Sequence, residues 1–304
     1  MSSSSSSADL VAGHYNSRPN IDVQKRKQSK IIYLKNFNNW IKSVLISQYC
    51  QPDYTILDMG CGKGGDIQKW GLAMIKEYVG ADIAAVSIQQ AKERYQERPP
   101  GFHAEFFEID CYSCPLAPLL SPNITFDLVS MQFCLHYSFE TEDKARQMLS
   151  NVTSNLRQGG WFIGTIPDAN WIVKRKRSLP PEGDPALPEA EREPGKFGNS
   201  IYSIRFEEEK PFTKFGCKYW FHLEDAVDCP EYLVHFPTFK KLAGEYSLDL
   251  KLKEPFHKFY ADKAQNFEFA QLLKRMRVYG DNEEMSNEEW EAAGIYLVFA
   301  FQKR

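Results

Sequence analysis

A doubly wound, mostly parallel α/β sheet is the fold class that these 304 residues predict. Three observations carry it. Short β-type runs alternate with helical patterns of about ten residues or more through the first half, which implies parallel strands joined by right-handed crossovers. A glycine cluster follows the first of those runs, at the turn where open sheets bind ligands. With 43% hydrophobic residues, the chain can bury one large core or two smaller ones.

Residues 1–13, opening with the run Ser2 to Ser7, read as a disordered leader that cannot pack, and residues 14–304 as one folded domain. From Lys30 to Tyr49, Ile31, Leu34, Phe37 or Trp40, Ile41, Val44 and Leu45 recur at helical spacing, predicting an amphipathic helix before the first strand. Tyr54 to Asp58 is that strand, and a helix runs from Asp66 to about Glu77. Strands follow at Glu77 to Asp82, Phe102 to Ile109, Ile124 to Met131 and Gly160 to Ile166, with helices at Val86 to Glu97 and Glu140 to Leu156. Residues 178–199 hold five of the 17 prolines and five acids, and read as a flexible surface insertion. A small subdomain of about 200–246 comes next: a strand pair, Ile201 to Phe206 and Cys217 to Leu223, and a helix from His235 to Tyr246. Leu248 to Leu252 is a strand, Phe256 to Val278 a long helix, Asp281 to Glu291 an acidic loop and Ile295 to Phe301 the last strand. No internal repeat is visible.

The net charge of −3 excludes a uniformly basic protein that coats nucleic acid, although it cannot see a local basic face. Residues 1–50 carry a net +5, and the compensating acids fall in 178–199 and 281–291. Seven cysteines without a regular framework, and no apolar segment after Met1, favour a reducing compartment without disulfides. Ala292 to Phe301 is the longest apolar stretch, and it is too short to span a membrane.

The chemistry concentrates in Ile56-Leu-Asp58-Met-Gly60-Cys-Gly62-Lys-Gly64-Gly65-Asp66. Gly60, Gly62 and Gly65 satisfy a dinucleotide fingerprint, a weak signal by itself. Asp58 separates the options. A carboxylate there would repel a pyrophosphate but attract a ligand carrying an ammonium and a sulfonium, which describes S-adenosyl-L-methionine. The loop resembles the first motif of class I methyltransferases. Asp82 at the end of the second strand would take the ribose hydroxyls, and Asp110 at the end of the third would lie near the adenine amino group. Strand-end acids capped by solvent are the structural alternative.

Further motifs narrow the resemblance. Lys35-Asn-Phe-Asn38-Asn39-Trp40-Ile-Lys42, Ala81-Asp-Ile-Ala84, Gln132-Phe-Cys-Leu-His136-Tyr137-Ser-Phe-Glu140, Cys229-Pro-Glu231-Tyr-Leu-Val and Ile295-Tyr296-Leu-Val-Phe, in this order from about His14 to the C-terminus, are similar to the mRNA cap guanine-N7 methyltransferases. That resemblance implies a seven-stranded Rossmann-like sheet with an N-terminal helix and a small inserted strand and helix subdomain. It implies a cofactor site of Lys42, Asp58, Gly60, Asp82, Asp110, Gln132 and Tyr137. It implies a cap site of Asn38, Asn39, Lys63, Lys69, Arg94, His136, Glu231 and Tyr296. Guanine offers two N–H donors on its Watson–Crick edge, which one carboxylate such as Glu231 can accept. Lys63, Lys69 and Arg94 could reach the triphosphate bridge, and His136, Tyr137 and Tyr296 offer rings to a flat base.

Each residue also has a structural alternative. Lys69 and Arg94 could be solvated helix faces, Glu231 after Pro230 a helix N-cap or first-turn acid, His136 a structural histidine and Tyr296 core. Cys111-x-x-Cys114 lacks a second pair and reads as a loop, so no metal is expected. Lys174 to Arg177 could be a nuclear signal, an RNA-backbone contact or a helix end that complements the dipole.

The implied reaction is methyl transfer to N7 of the guanosine cap of mRNA. Guanine N7 has a lone pair and the sulfonium methyl is activated, so in-line transfer needs no general base, and no catalytic acid, base or nucleophile is expected. A methyltransferase of a small molecule or protein, and a non-catalytic cap-binding or RNA-binding module, are the alternatives. The implied partner is 5'-capped RNA, the implied compartment is the nucleus, and the catalytic domain reads as a monomer with no membrane contact. The short stretch from Val278 to Trp290 leaves dependence on an activating subunit open.

Overall fold

Alternating strands and helices of the predicted lengths leave parallel strands at the centre of the fold. The computed structural model describes residues 7–17, 28–179, 195–206, 211–279 and 285–304. Five strands, β1 (Thr55–Met59), β2 (Glu77–Asp82), β3 (His103–Glu108), β4 (Phe126–Gln132) and β5 (Leu156–Pro167), pair in parallel. With β10 (Leu248–Pro255) and β11 (Tyr296–Lys303), which pair antiparallel on the β5 side, they give a seven-stranded sheet of order β10-β11-β5-β4-β1-β2-β3. Strand β1 lies between β2 and β4, so the chain direction of the crossovers reverses there and a crevice opens beyond the carboxyl ends of these strands.

Both faces of the sheet are covered. The predicted amphipathic helix is α2 (Ile32–Tyr49), and it buries Leu34, Phe37, Trp40, Ile41, Val44 and Leu45 on one face. Helices α3 (Ile67–Leu72) and α4 (Ala85–Glu97) follow β1 and β2. The other face is packed by α5 (Glu142–Ser154), through Ala145, Met148, Leu149 and Val152, and by α7 (Phe236–Glu245), through Phe236, Phe239, Leu242 and Ala243.

Between α6 (Ala169–Arg177) and α7 the chain builds a second sheet of order β6-β7-β8-β9, from β6 (Lys196–Gly198), β7 (Tyr202–Arg205), β8 (Lys218–Leu223) and β9 (Val227–Tyr232). The expected strand pair is β7 and β8, and β6 and β9 were not foreseen. Strand β9 contains Pro230 and is tolerated because it is an edge strand of this sheet. Glu231 is therefore a strand residue opposite Tyr219, and its reading as a helix N-cap or first-turn acid is corrected.

Three other expectations change. Residues 7–13, expected in the leader, belong to helix α1 (Ser7–Ser17), which buries Val11 and packs on α4 and β9. One buried side chain in eleven residues gives too little periodicity to announce it. The long helix is two helices, α8 (Phe256–Lys263) and α9 (Phe267–Arg275), because the Asn266 side chain accepts from the Glu268 and Phe269 N–H groups and starts a new helix. The end of the acidic loop is α10 (Asn287–Ala293), opened by a Ser286–Glu289 capping box. Glu289 is buried and also accepts the Leu34 N–H at 3.0 Å, so one carboxylate ties α10 to the start of α2. Of the 178–199 insertion, residues 180–194 lie outside the described residues, and β6 is ordered strand.

Lys174 to Arg177 form the last turn of α6, where they complement the helix dipole. Lys176 lies 4.7 Å from the Phe206 ring centroid, and Arg175 pairs with Glu291 at 3.8 Å. Cys111 and Cys114 sit in a turn whose carbonyls accept from Asn151 Nδ2, and both thiols are free. Among the described residues, no group of three or more His, Cys, Asp or Glu could hold a metal ion, and no helix is long and apolar enough to cross a membrane.

Candidate active site

The glycine turn after β1 makes room beside β4. Gly60 has φ of +75°, and a Cβ there would lie 2.6 Å from Cys134 Sγ, so a side chain is excluded by conformation and by space. Its N–H donates to Ala81 O at 2.7 Å, and the Gly62 N–H donates to Asp82 Oδ2 at 2.8 Å. Asp82 Oδ1 accepts from the Ala84 N–H at 2.9 Å, which pins the carboxylate at the end of β2. Burial raises the Asp82 pKa against the pull of these backbone donors.

Asp110 lies just beyond β3, and its Oδ1 accepts from the Tyr112 N–H at 2.9 Å. At the end of β4, Gln132 donates through Nε2 to Ser130 Oγ at 3.1 Å, while its Oε1 is buried without a protein partner. Tyr137 contacts the Tyr15 hydroxyl at 3.1 Å and Cys229 Sγ at 3.3 Å. Lys42, Gly60, Asp82, Asp110, Gln132 and Tyr137 all line one cavity of 280 Å³ at the carboxyl edge of the sheet. Six of the seven expected cofactor residues are thus brought together.

Asp58 is the exception, and its expected role is corrected. It does not line the cavity. It is 3% exposed within a fully buried strand, and it accepts from Tyr78 OH at 3.0 Å and Trp70 Nε1 at 3.5 Å. Burial, aided by the nearby Asp66 charge, pushes its pKa up to about 7. Asp58 ties β1 to its supports, and Asp66 at the end of the glycine turn is the motif carboxylate that joins Asp82 and Asp110 in the cavity lining.

Asp66 organises the border with the expected acceptor side. Lys42 Nζ stands 2.8 Å and Lys69 Nζ 2.6 Å from Asp66 Oδ1. Burial alone would raise the Asp66 pKa, but the two ammonium groups outweigh it and hold the carboxyl well below its ordinary value. Lys69 also donates to Asn39 Oδ1 at 2.9 Å, joining α3 to α2. Asn38 is half-buried, with its Oδ1 lacking a hydrogen-bond partner. Lys63 lies within the glycine turn and Arg94 in the last turn of α4, both half-buried and neither lining the cavity.

His136, Glu231 and Tyr296 are buried and do not line the cavity, but the His136 ring lies 4.3 Å from that of Tyr137, which does. His136 Nε2 is 3.3 Å from Glu231 Oε1, and Tyr219 OH donates to Glu231 Oε2 at 2.7 Å. Burial, and after it the charge of Glu231, raises the Tyr296 pKa far above its ordinary value. The Tyr296 ring meets Phe133 edge-on at 5.0 Å. Phe133 holds φ of +58°, an unusual conformation for an aromatic residue, and lines the cavity.

Four contributors were missed. Asp66 closes the glycine motif, and its place in Gly-Gly-Asp at the start of a helix was an available signal. Phe133 and Tyr219 sit in apolar runs that look like core. The α1 residues Ser7, Val11 and Tyr15 line the cavity, but the serine-rich start hides them.

The donor set fits S-adenosyl-L-methionine. Two acids at successive strand ends can take hydroxyl and amino donors, the unpartnered Gln132 Oε1 offers a further acceptor, and Asp66 offers a carboxylate to an ammonium. Val11, Ala81, Ile83, Ile109 and Phe133 give the wall an apolar stretch available to an adenosine.

The whole chain, residues 1–304, matches the family described as mRNA (guanine-N(7))-methyltransferase domain. It is 47% identical to the mRNA cap guanine-N(7) methyltransferase of Cryptococcus neoformans over 97% of this chain, and spans about half of that relative, 47% of its length. It is 46% identical to the mRNA cap guanine-N(7) methyltransferase 1 of Oryza sativa, over 98% of this chain and 82% of the relative. Identity is also 46% to the enzyme of Schizosaccharomyces pombe, over 97% and 82%. Among solved structures, the CcbJ methyltransferase of Streptomyces caelestis aligns with a TM-score of 0.54 at 11% identity, covering 88% of this chain and 96% of that one. A putative S-adenosylmethionine-dependent methyltransferase of Listeria monocytogenes aligns at 0.52 and 13%, covering 89% and 99%. These two likenesses show the fold.

Proposed function

Because this chain belongs to the mRNA (guanine-N(7))-methyltransferase family, we propose that it transfers the methyl group of S-adenosyl-L-methionine to N7 of the guanosine cap at the 5' end of mRNA. The observation that carries the reading is the adjacency of two unlike compartments. The first is the cavity lined by Lys42, Gly60, Asp82, Asp110, Gln132 and Tyr137, and the second is the buried His136–Glu231 pair and Tyr296, which meet the cavity-lining Tyr137 and Phe133 rings.

The sulfonium supplies an activated methyl and leaves as a neutral thioether, while the positive charge passes to the guanine. No proton moves, so the protein contributes position and field. Asp82, Asp110 and Gln132 hold the cofactor, and Asp66 with Lys42 sets the charge at the cavity floor. Glu231 accepts the two N–H groups of the guanine edge, which adenine cannot supply. His136 and Tyr296 flank the base, Asn38 and Asn39 offer amides to its sugar, and Lys63, Lys69 and Arg94 attract the triphosphate bridge. Asp58 acts from behind, tying β1 to its supports.

Family membership also supports capped RNA as the partner and the nucleus as the compartment, and the catalytic domain acts as a monomer. Sizing chromatography of the pure chain and microscopy of a tagged chain check the last two. The reading is tested by Glu231→Ala. Methylation of GpppN-capped RNA should fall by about a hundredfold or more in kcat/KM, and preference over an adenine cap should shrink with it. Parental rates with parental discrimination would overturn the assignment of base reading to Glu231.

A further inference from the structure

We infer that Tyr219 is a positioning residue for cap recognition, which fixes the Glu231 carboxylate in the orientation that accepts the guanine edge. This rests on the reading that Glu231 takes the base. Tyr219 does not line the cavity, so it acts through Glu231.

The geometry is specific. Tyr219 on β8 stands directly across the ladder from Glu231 on β9, and its hydroxyl donates to Oε2 at 2.7 Å. His136 Nε2 faces the other oxygen at 3.3 Å, so the carboxylate is approached from two sides. The last torsion of a glutamate is broad, and without a fixed donor the carboxylate plane would swing. An ionised carboxylate has about four acceptor sites. Tyr219 occupies one, and Oε1 and Oε2 keep sites for two parallel N–H donors. Tyr219 is fully buried and its ring packs on Phe206 at 5.8 Å, so the donor has little freedom of its own. Burial first, and the charge of Glu231 second, raise the phenol pKa, so the hydroxyl remains a donor across the working pH range.

Strand placement explains why β9 carries Glu231 despite Pro230. In an antiparallel ladder the directly opposed side chains meet on one face, and a two-stranded register sets the Tyr–Glu distance without help from a loop. A carboxylate mounted this way is more precisely placed than one on a turn.

The test is Tyr219→Phe, which removes one oxygen and leaves the ring. Initial rates are measured on RNA capped with GpppN and with the inosine analogue, which lacks the 2-amino group, and cofactor Kd is measured by calorimetry. The expected result is a rise of about tenfold or more in KM for the guanine cap, the scale of one hydrogen bond to a charged group. Preference for guanine over inosine should fall at least about threefold, with kcat and cofactor Kd within about twofold of the parent. Parental KM and parental preference would overturn the inference, and so would equal losses in kcat, KM and cofactor Kd, the mark of a merely structural role.

Glu231→Gln runs in parallel. If it loses cap affinity while Tyr219→Phe does not, the positioning role fails and the base-reading role stands. If Glu231→Gln keeps parental KM and preference, the base-reading role fails and the inference falls with it. Should Tyr219→Phe fail to bind cofactor, 3,5-difluorotyrosine at position 219 decides the matter. It keeps the ring and strengthens the donor, so a changed KM for the cap at constant cofactor Kd supports the role, and an unchanged KM overturns it.

Discussion

The two sides of the site are built by different means. The proposed cofactor side is assembled from strand ends and turns at the carboxyl edge of β1 to β4, where backbone N–H groups fix the two acids: Gly62 and Ala84 hold Asp82, and Tyr112 holds Asp110. The acceptor side is assembled from side chains distant in sequence, with His136 from the turn after β4, Glu231 from β9 and Tyr219 from β8 meeting in the interior. The main sheet and its own turns place this first set. The second set depends on the inserted sheet being docked correctly against the main one, and its buried carboxylate is costly unless partnered.

That contrast predicts separable losses. The largest is expected for Asp82→Ala, which removes the acceptor for two hydroxyl donors and the support of the Gly62 N–H. Cofactor affinity should fall by about a hundredfold in calorimetry, on the scale of two charge-assisted hydrogen bonds, with cap affinity changed by less than about threefold. Equal losses of both ligands would break the separation.

Lys69→Met probes the border between the sides. Lys69 bridges Asp66 and Asn39, while Lys42 also neutralises Asp66. KM for capped RNA should rise by about fivefold, the difference from the parent shrinking with added salt, with cofactor affinity changed by less than about twofold.

The reach of sequence reasoning follows the same division. Gly60, Asp82 and Asp110 are legible because strand ends and turns announce themselves over a few residues, whereas Gln132 is reached only through the family resemblance, and the fold carries all four to one cavity. The helix at α2 is legible because its apolar stripe is continuous. Asp58 misleads because the motif identifies the strand but not the face on which the carboxylate lies, and that face is occupied by Trp70 and Tyr78. Strand β9 is hidden by Pro230 and by polar Asp228, and its edge position is a fact of the whole sheet. Tyr219 alternates with Phe221 and Leu223 on the buried side of β8, so nothing local separates a positioning phenol from core. Helix α1 joins the cavity wall through Val11 and Tyr15, and its docking rests on long-range hydrogen bonds of Ser7 to Tyr232, Tyr15 to Tyr137 and Asn16 to the Val86 N–H, which no local pattern announces.

The smallest effect is expected at Asp58, which belongs to neither side. Its pKa in the fold, about 7, lies above the ordinary carboxylate value of 3.8, so the folded state favours the protonated form. A carboxyl raised in the fold is best tolerated below its unfolded pKa and becomes a growing liability as the pH rises from about 4 to about 7, after which the cost is constant. Asp58→Asn removes that dependence. Thermal melts of the variant and the parent should therefore converge at the acid end, or favour the parent, and move in favour of the variant as the pH rises to about 7. A difference in melting temperature that is flat across this window would contradict the assignment.

The two sides matter only if they act on one reaction, and the identity of the methylated atom tests that most directly. The pure chain is given S-adenosyl-L-methionine with GpppN-capped RNA, uncapped RNA or GTP, and the products are digested and resolved as nucleosides by mass spectrometry. The expected product is N7-methylguanosine from the capped RNA, with none from the uncapped RNA. Methyl on any other atom, or equal methylation of uncapped RNA, would contradict a cavity and a base-reading cluster built for a cap.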